Sequence, residues 1–381
     1  MHISLYIHFP FCLQKCLYCD FNSVADAQVV PGEYVAAVVH EMELLAERLP
    51  VLSTAPTLYF GGGTPSLMEA DLVERVVDTA ARLYGLQPDA EITIEANPGT
   101  LTRGKLADYR SACVNRLSLG VQSFDDRMLT RLGRIHTSRQ ALESFAAARN
   151  AGFANIGIDL IHSLPGETPA MWQDDLNKAV ALETEHISAY GLSVEEGTPF
   201  HALERSGELM LPDEDAALLM FQQTTEFLES AGFEHYEISN FARPGFRSRH
   251  NQVYWQRGNY LGFGAGAHSF MNSPDFGIRW KNPDSPALYM QAVNRAAPLE
   301  EEKSVLTERE AMAERFFLGL RMLDGVDGGL FQREFGITPE EAYPAQLSRL
   351  LSDGLVEWRK GCLRLTDRGL IISNQVFMKF L

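Results

Sequence analysis

The sequence predicts an α/β protein: a partial (β/α)6 TIM-like barrel followed by a small winged-helix-like domain. Three observations predict it. Six short strand-like runs alternate with helix-like runs through the first half of the chain. Glycines and polar residues recur where those strands end. The pattern then changes near residue 300, in the acidic stretch Glu300-Glu301-Glu302. The expected division is a barrel over 1–200, a connecting segment over 201–300 and a C-terminal domain over 301–381.

The strand-like runs are Ser4–Phe9, Thr57–Phe60, Glu91–Glu95, Arg116–Val121, Asn155–Leu160 and His186–Leu192. Each is short, rich in β-branched or aromatic residues and bounded by Gly, Pro, Asn or Asp. Between the first two, Val35, Val38, Val39, Met42, Leu45 and Leu49 recur at the helical period, and Pro50 ends the helix. Ser138 caps a further helix that stops at Gly152. Thr168 opens another, with Pro169 in the favoured first position. Serial β–α units predict a parallel sheet with helices packed outside. A complete eight-unit barrel needs about 250 residues, so six units imply an open one. After Pro298, Thr307 and Glu310 read as a capping box ahead of a helix through Phe316, Phe317 and Leu320. Two shorter helices follow. Leu355–Trp358, a Lys360-Gly361 turn and Cys362–Leu365 read as a hairpin, and Thr366 begins a last helix.

The chain has 381 residues, 45% of them hydrophobic, and a formal net charge of −17. That sign disfavours sequence-independent nucleic-acid binding, which needs phosphate-neutralising Lys and Arg, and argues against a DNA-reading role for the C-terminal domain. It also disfavours a polybasic grip on anionic lipid. No apolar run approaches the length of a membrane span. Met1 to Pro10 lacks a basic n-region and is interrupted by His8 and Pro10, so it does not read as a secretory signal. The expectation is a cytoplasmic protein without an integral membrane segment.

Cys12, Cys16 and Cys19 form a C-x3-C-x2-C loop directly after the first strand. Three thiolates suit an iron–sulfur cubane and leave its fourth iron open to a small molecule. A structural zinc site wants four ligands, usually in close pairs, and Cys113 and Cys362 are isolated. A disulfide framework wants an even count in a short secreted chain, and here there are five cysteines. Cys113, on a predicted helix, and Cys362, on a hairpin strand, read as buried small hydrophobes.

Other polar features fall at the carboxyl ends of the strands. Gly61-Gly62-Gly63-Thr64-Pro65 follows the second strand, where glycines let backbone N–H groups approach a ligand. Glu95 ends the third strand, Gln122 follows the fourth, with Arg134 beyond it, and Asp159 lies near the end of the fifth. A glycine run alone means a turn. Its convergence with four polar side chains beside a three-cysteine loop points to a site.

These residues resemble the radical S-adenosylmethionine (radical SAM) superfamily, whose marks are the cysteine loop and the glycine-rich loop. Tyr6–Cys12, Gly61–Pro65, Leu119–Phe124 and Tyr236–Asn240 are similar to the coproporphyrinogen-oxidase-like branch. The resemblance implies a barrel of the radical SAM type. It implies a [4Fe-4S] cluster on Cys12, Cys16 and Cys19, whose open iron chelates S-adenosyl-L-methionine and cleaves it to a 5′-deoxyadenosyl radical. By the same resemblance Tyr6, Gly62, Gly63, Thr64 and Glu95 contact S-adenosylmethionine, and Tyr18, Gln122, Arg134 and Asp159 line the same or an adjoining pocket.

Within that branch the oxidases carry a fourth cysteine, C-x3-C-x2-C-x-C, where this chain has Phe21, and an N-terminal extension before the cluster strand. His250-Asn251-Gln252-Val253-Tyr254-Trp255 instead resembles the motif of the HemW-type haem chaperones. That resemblance implies haem as cargo, recipient respiratory haem proteins as partners, and cluster-linked homodimerisation. Membrane contact would come only through partners. His250 becomes the expected axial haem ligand, with Tyr254 and Trp255 as flat surface, and His268 a second candidate. The alternative is a radical SAM enzyme acting on a tetrapyrrole, an oxygen-independent coproporphyrinogen III oxidase or a methyltransferase.

Overall fold

The computed structural model describes residues 1–25, 31–48, 53–297, 299 and 301–381. Leu49, Pro50, Pro298 and Glu300, named above, lie outside them. Six parallel strands pair in chain order: β1 (Ser4–Phe9), β2 (Ala55–Gly62), β3 (Leu86–Ala96), β4 (Arg116–Gln122), β5 (Ile156–His162) and β6 (His186–Gly191). Helices α1 (Pro31–Ala46), α2 (Ala70–Tyr84), α3 (Arg103–Ser111), α4 (Asp126–Leu132), α5 (Ser138–Asn150) and α6 (Pro169–Ala181) lie between them in sequence. β1 and β6 do not pair, so the barrel is open.

Side chains alternate across each strand. Leu5, Ile7 and Phe9 of β1, Leu58 and Phe60 of β2, Ile92 and Ile94 of β3, and Leu117, Leu119 and Val121 of β4 join one large apolar core. Ile156, Ile158 and Leu160 of β5 and Ile187 and Ala189 of β6 complete it. The intervening residues, Tyr59, Glu95, Arg116, Ser118, Gln122, Asp159, His186 and Ser188, face the barrel cavity. The helix starts are capped as their sequences require. Thr168 accepts from the Met171 N–H ahead of Pro169. The cap of α5 is Thr137, in a capping box with Gln140, and Ser138 is its first helical residue. This corrects the expected cap by one position.

The stretch over 201–300 extends the sheet at both edges. After α7 (Pro199–Arg205) and α8 (Glu214–Ser230) come β7 (Glu234–Glu237) and β8 (Asn240–Ala242); β8 pairs antiparallel with β6, and β7 antiparallel with β8. Helix α9 (Arg249–Trp255) leads to β9 (Tyr260–Phe263), parallel to β1, and then to antiparallel β10 (His268–Met271), β11 (Ile278–Lys281) and β12 (Glu301–Val305). The result is a twelve-stranded mixed sheet with β12 and β7 at its edges. These short edge strands carry weak periodicity, so the sequence did not announce them.

The C-terminal domain has its own core, from Ala311 to Phe380. Helix α10 (Pro286–Asn294) precedes it in the chain and packs on α1. The domain itself opens with α11 (Glu308–Gly319), started by the expected Thr307–Glu310 capping box. A three-stranded sheet follows: β13 (Val326–Asp327), β14 (Val356–Arg359) and β15 (Cys362–Leu365) in the order β13-β15-β14. Around it stand α12 (Gly328–Phe335), α13 (Pro339–Ala342), α14 (Pro344–Ser352), α15 (Asp367–Ile371) and α16 (Ser373–Phe377), a winged-helix-like arrangement. Buried Arg257 ties this domain to the sheet through Glu314 and Glu334, both at 2.9 Å. Cys113 departs from expectation: it is exposed, at the turn after α3 with φ +66°, and Cys362 is only half-buried. Among the described residues no helix is long and apolar enough to cross a membrane.

One buried carboxylate holds the β9 turn against β1. Glu41 of α1 accepts from the Gly264 N–H at 2.9 Å, from Asn282 at 2.6 Å and from the Tyr289 hydroxyl. Gly264 has φ +100° and packs on the His8 carbonyl, where a Cβ would collide. Glu41→Ala would strand three buried donors, and a loss of about 2–4 kcal/mol is expected in urea unfolding of the ligand-free chain. A loss below about 1 kcal/mol would contradict this role for Glu41.

Candidate functional site

The cysteine loop leaves β1 at Pro10 and returns at Val24. Two backbone bonds pinch its neck, Cys12 N to Val24 O at 3.0 Å and Val24 N to Pro10 O at 2.7 Å. A third runs from Cys19 N to Cys16 O at 3.3 Å. Leu17 N donates to Leu132 O at the end of α4, and Phe200 N of α7 donates to Leu17 O, both at 3.0 Å. The loop is therefore fixed from both sides, and all three thiols line one cavity of about 400 Å³.

Each of two thiols accepts a hydrogen bond. Thr64 Oγ1 donates to Cys12 Sγ at 3.5 Å, and Arg134 Nη1 donates to Cys16 Sγ at 3.4 Å. Gly63 gives the loop its room: a Cβ there would lie 3.0 Å from Cys12 Sγ and 2.8 Å from the Phe11 carbonyl. Gly62 has φ +114°, a conformation that favours glycine. Among the described residues no set of three or more His, Cys, Asp or Glu groups is gathered to hold a single metal ion.

Two carboxylates reach into the same cavity from β3 and β5. Glu95 accepts from the Tyr59 hydroxyl at 2.8 Å and from Gly62 N–H at 3.2 Å. Burial pushes its carboxyl up to about 7, against these donors, and Asp159 adds to the rise. Asp159 accepts from Ser188 at 2.7 Å and Ser118 at 3.0 Å. Burial raises its pKa as well, opposed first by those two hydroxyls. Arg134 is anchored to the Gly120 carbonyl at 2.7 Å. Gln122 sits at a register shift between β4 and β5 with φ +66°, an uncommon backbone for a non-glycine residue and one that clusters at sites. Tyr18 lies beside Arg134 and Cys16; burial raises its phenol pKa, and Arg134 opposes the rise.

Cys12, Cys16, Cys19, Tyr18, Gly62, Gly63, Thr64, Glu95, Gln122, Arg134 and Asp159 thus line one cavity. Tyr6 does not line it. Its ring stands 6.1 Å from Tyr59 by centroid, and its hydroxyl bonds His8 Nδ1 at 3.1 Å. His250 does not line the cavity and is 1% exposed; its ring stacks 4.9 Å from that of Tyr59, which does. Its Nδ1 pairs with Thr57 Oγ1 and its Nε2 with the Tyr254 hydroxyl, both at 2.7 Å. Burial, and then Arg116, lower its pKa to about 3. Against the expectation of an axial haem ligand, both ring nitrogens of His250 are engaged inside the ligand-free protein. Sequence reading missed Tyr59, Arg116, Ser118, His186 and Ser188. The signal was available, because each alternates with apolar residues along its strand.

Models of known families match two regions: the radical SAM superfamily over residues 6–179 and the HemN C-terminal domain over 306–372. The chain is 37% identical to Heme chaperone HemW of Lactococcus lactis, over 99% of this chain and 97% of the relative. It is 36% identical to Heme chaperone HemW of Bacillus subtilis, over 99% of each. Among solved structures it resembles the coproporphyrinogen III oxidase HemN from Escherichia coli, with a TM-score of 0.85 and 23% identity over 99% of this chain and 89% of that one. This last likeness concerns the fold.

The Glu95 shift has a stability consequence. Its carboxyl titrates near 7 in the folded chain, against 4.5 for an ordinary glutamate. Between those values the folded state keeps a proton that the unfolded state has released, so ligand-free stability falls as pH rises through that window. Thermal melts across the window should show a flatter pH profile for Glu95→Gln, the parent-to-variant difference changing by on the order of 1–3 kcal/mol. Parallel profiles would contradict the shift.

Proposed function

This chain belongs to the HemW family of the radical SAM superfamily, and from that premise we propose that it is a haem-binding chaperone with a [4Fe-4S] cluster and an S-adenosylmethionine site. The observation that carries the reading is the cysteine loop. Three thiols line one cavity with two carboxylates and an arginine, and Phe21 is exposed at the position of the oxidases' fourth cysteine.

Cys12, Cys16 and Cys19 would hold the cluster, with Thr64 and Arg134 donating to its sulfur ligands. When bound, the cluster supplies an electron and an open iron for the amino acid end of S-adenosylmethionine. Glu95, fixed by Tyr59 and Gly62, is placed to accept from an ammonium or ribose hydroxyl. Arg134 would pair with a carboxylate, and Gln122 and Asp159 would close the adenosine side. In this account the cluster governs assembly or haem transfer. The cargo passes to respiratory haem proteins in or near the membrane, the carrier working in the cytoplasm and able to pair as a homodimer.

The cavity also favours a second reading, a radical SAM enzyme acting on a tetrapyrrole, because the residues expected to contact S-adenosylmethionine, Tyr6 apart, line it together. Incubation of the anaerobically reconstituted chain with coproporphyrinogen III, S-adenosylmethionine and a reductant separates the two. The chaperone reading expects no protoporphyrinogen at an enzymatic rate; sustained turnover would overturn it. Replacing Cys12, Cys16 or Cys19 by Ala should abolish the broad cluster absorption while the chain still takes up haemin. Retention of a full cluster by any one of the three variants would remove that cysteine from the ligand set.

A further inference from the structure

A carrier must hold its cargo where a recipient can reach it. The barrel cavity, about 400 Å³ and lined by the thiols and carboxylates, is taken by the cluster and S-adenosylmethionine in the reading above; a pocket of roughly 300–1,000 Å³ serves one drug-sized ligand. Haem therefore needs another surface, with an accessible imidazole and an uncovered apolar patch.

The chain has ten histidines. His8, His136, His162, His186, His235 and His250 are buried. His2 is engaged by Thr54 at 2.8 Å and His40 lies 3.8 Å from Glu43. His201 is half-buried on α7. His268 is exposed at the first position of β10, and its ring has no hydrogen-bond partner among the described residues.

Its position matters more than its exposure. β10 runs antiparallel to β9, so its first residue lies at the barrel rim that carries the cysteine loop. Asn22 staples the two together: its side-chain amide donates to the Ala265 carbonyl at 3.3 Å and to the Asp284 carbonyl at 3.0 Å, and Gly266 packs on it so closely that a Cβ would collide. The residue beside Asn22 is Phe21, 62% exposed and, of the 22 phenylalanines, the only exposed one. Among the described residues Lys15 of the same loop donates to the Phe21 and Ser23 carbonyls, at 3.0 and 3.4 Å, and faces no carboxylate within an ion pair there, which leaves its charge for a propionate.

We propose that haem docks on this rim, with His268 as an axial ligand of the iron and Phe21 against the porphyrin face. The inference rests on the haem-carrier reading and names its site. Partial burial, and then the neighbouring Lys281, lower the His268 pKa, which keeps the imidazole neutral and its nitrogen lone pair available. The site is open on the solvent side, which lets a recipient's ligand displace His268. It also borders the cluster loop, so a change in the cluster reaches the haem through the Phe21–Asn22 backbone.

Haemin titrated into the full, cluster-loaded chain tests this, followed by Soret absorption and low-temperature EPR. The parent should show an imidazole-ligated spectrum. His268→Ala should lose that ligand signature and weaken haem retention at least tenfold, with added imidazole restoring the Soret position and with cluster absorption unchanged. Phe21→Ala should weaken retention severalfold and keep the ligand signature. A parental spectrum and parental retention in both variants would overturn this site, including the case of haemin merely adsorbed to the surface. A parent chain that takes up no haemin would overturn the carrier reading itself, and that outcome needs no variant to recognise.

Discussion

The structure depends on one alternation. Along β2 to β6 apolar residues that pack outward on the helices alternate with residues that line the cavity. Parallel strands covered on both faces usually read as continuous apolar runs. Here the inward set includes glutamate, aspartate, arginine, serine, tyrosine and histidine. The outer layer supplies the hydrophobic stabilisation, so the inner layer is free to be polar. A register slip of one residue would exchange the two sets and leave charges in the core.

That division explains why the carboxylates can titrate high and still be useful. Glu95 and Asp159 are withdrawn from water, which disfavours their charge, but each accepts from two donors fixed on neighbouring strands. A cationic or hydroxyl-bearing ligand adds a partner that the ligand-free cavity lacks. Two of the thiols are held as well, with Thr64 and Arg134 donating to sulfur. Arg116, from the inner face of β4, has two guanidinium nitrogens without partners among the described residues, so the cavity floor is polar and incompletely satisfied.

Most of the barrel and its rim was legible in the sequence, because strand runs, caps and the cysteine spacing are local signals. Thr168 and Thr307 cap helices where their sequences place them. The edges were not legible. β7 to β12 are strands of three to five residues, and the pairings that join them to the barrel are distant in the chain, Tyr260 beside Ser4 and Asn240 beside Ser188. His250 misled for a related reason: its motif carries an imidazole and two aromatics, but only the fold shows that Thr57 and Tyr254 occupy both ring nitrogens. Cys113 misled because a positive-φ turn, rather than the helix, holds it at the surface.

The account rests on three thiolates sharing one iron cube with a corner left open toward Glu95 and Arg134. Mössbauer spectra of the iron-57-loaded, anaerobically prepared chain, recorded with and without S-adenosylmethionine, test this most directly. The account predicts about four irons per chain, one of which shifts alone when S-adenosylmethionine is added. A chain that loads no cube, or a cube whose irons all stay unchanged on that addition, would contradict it.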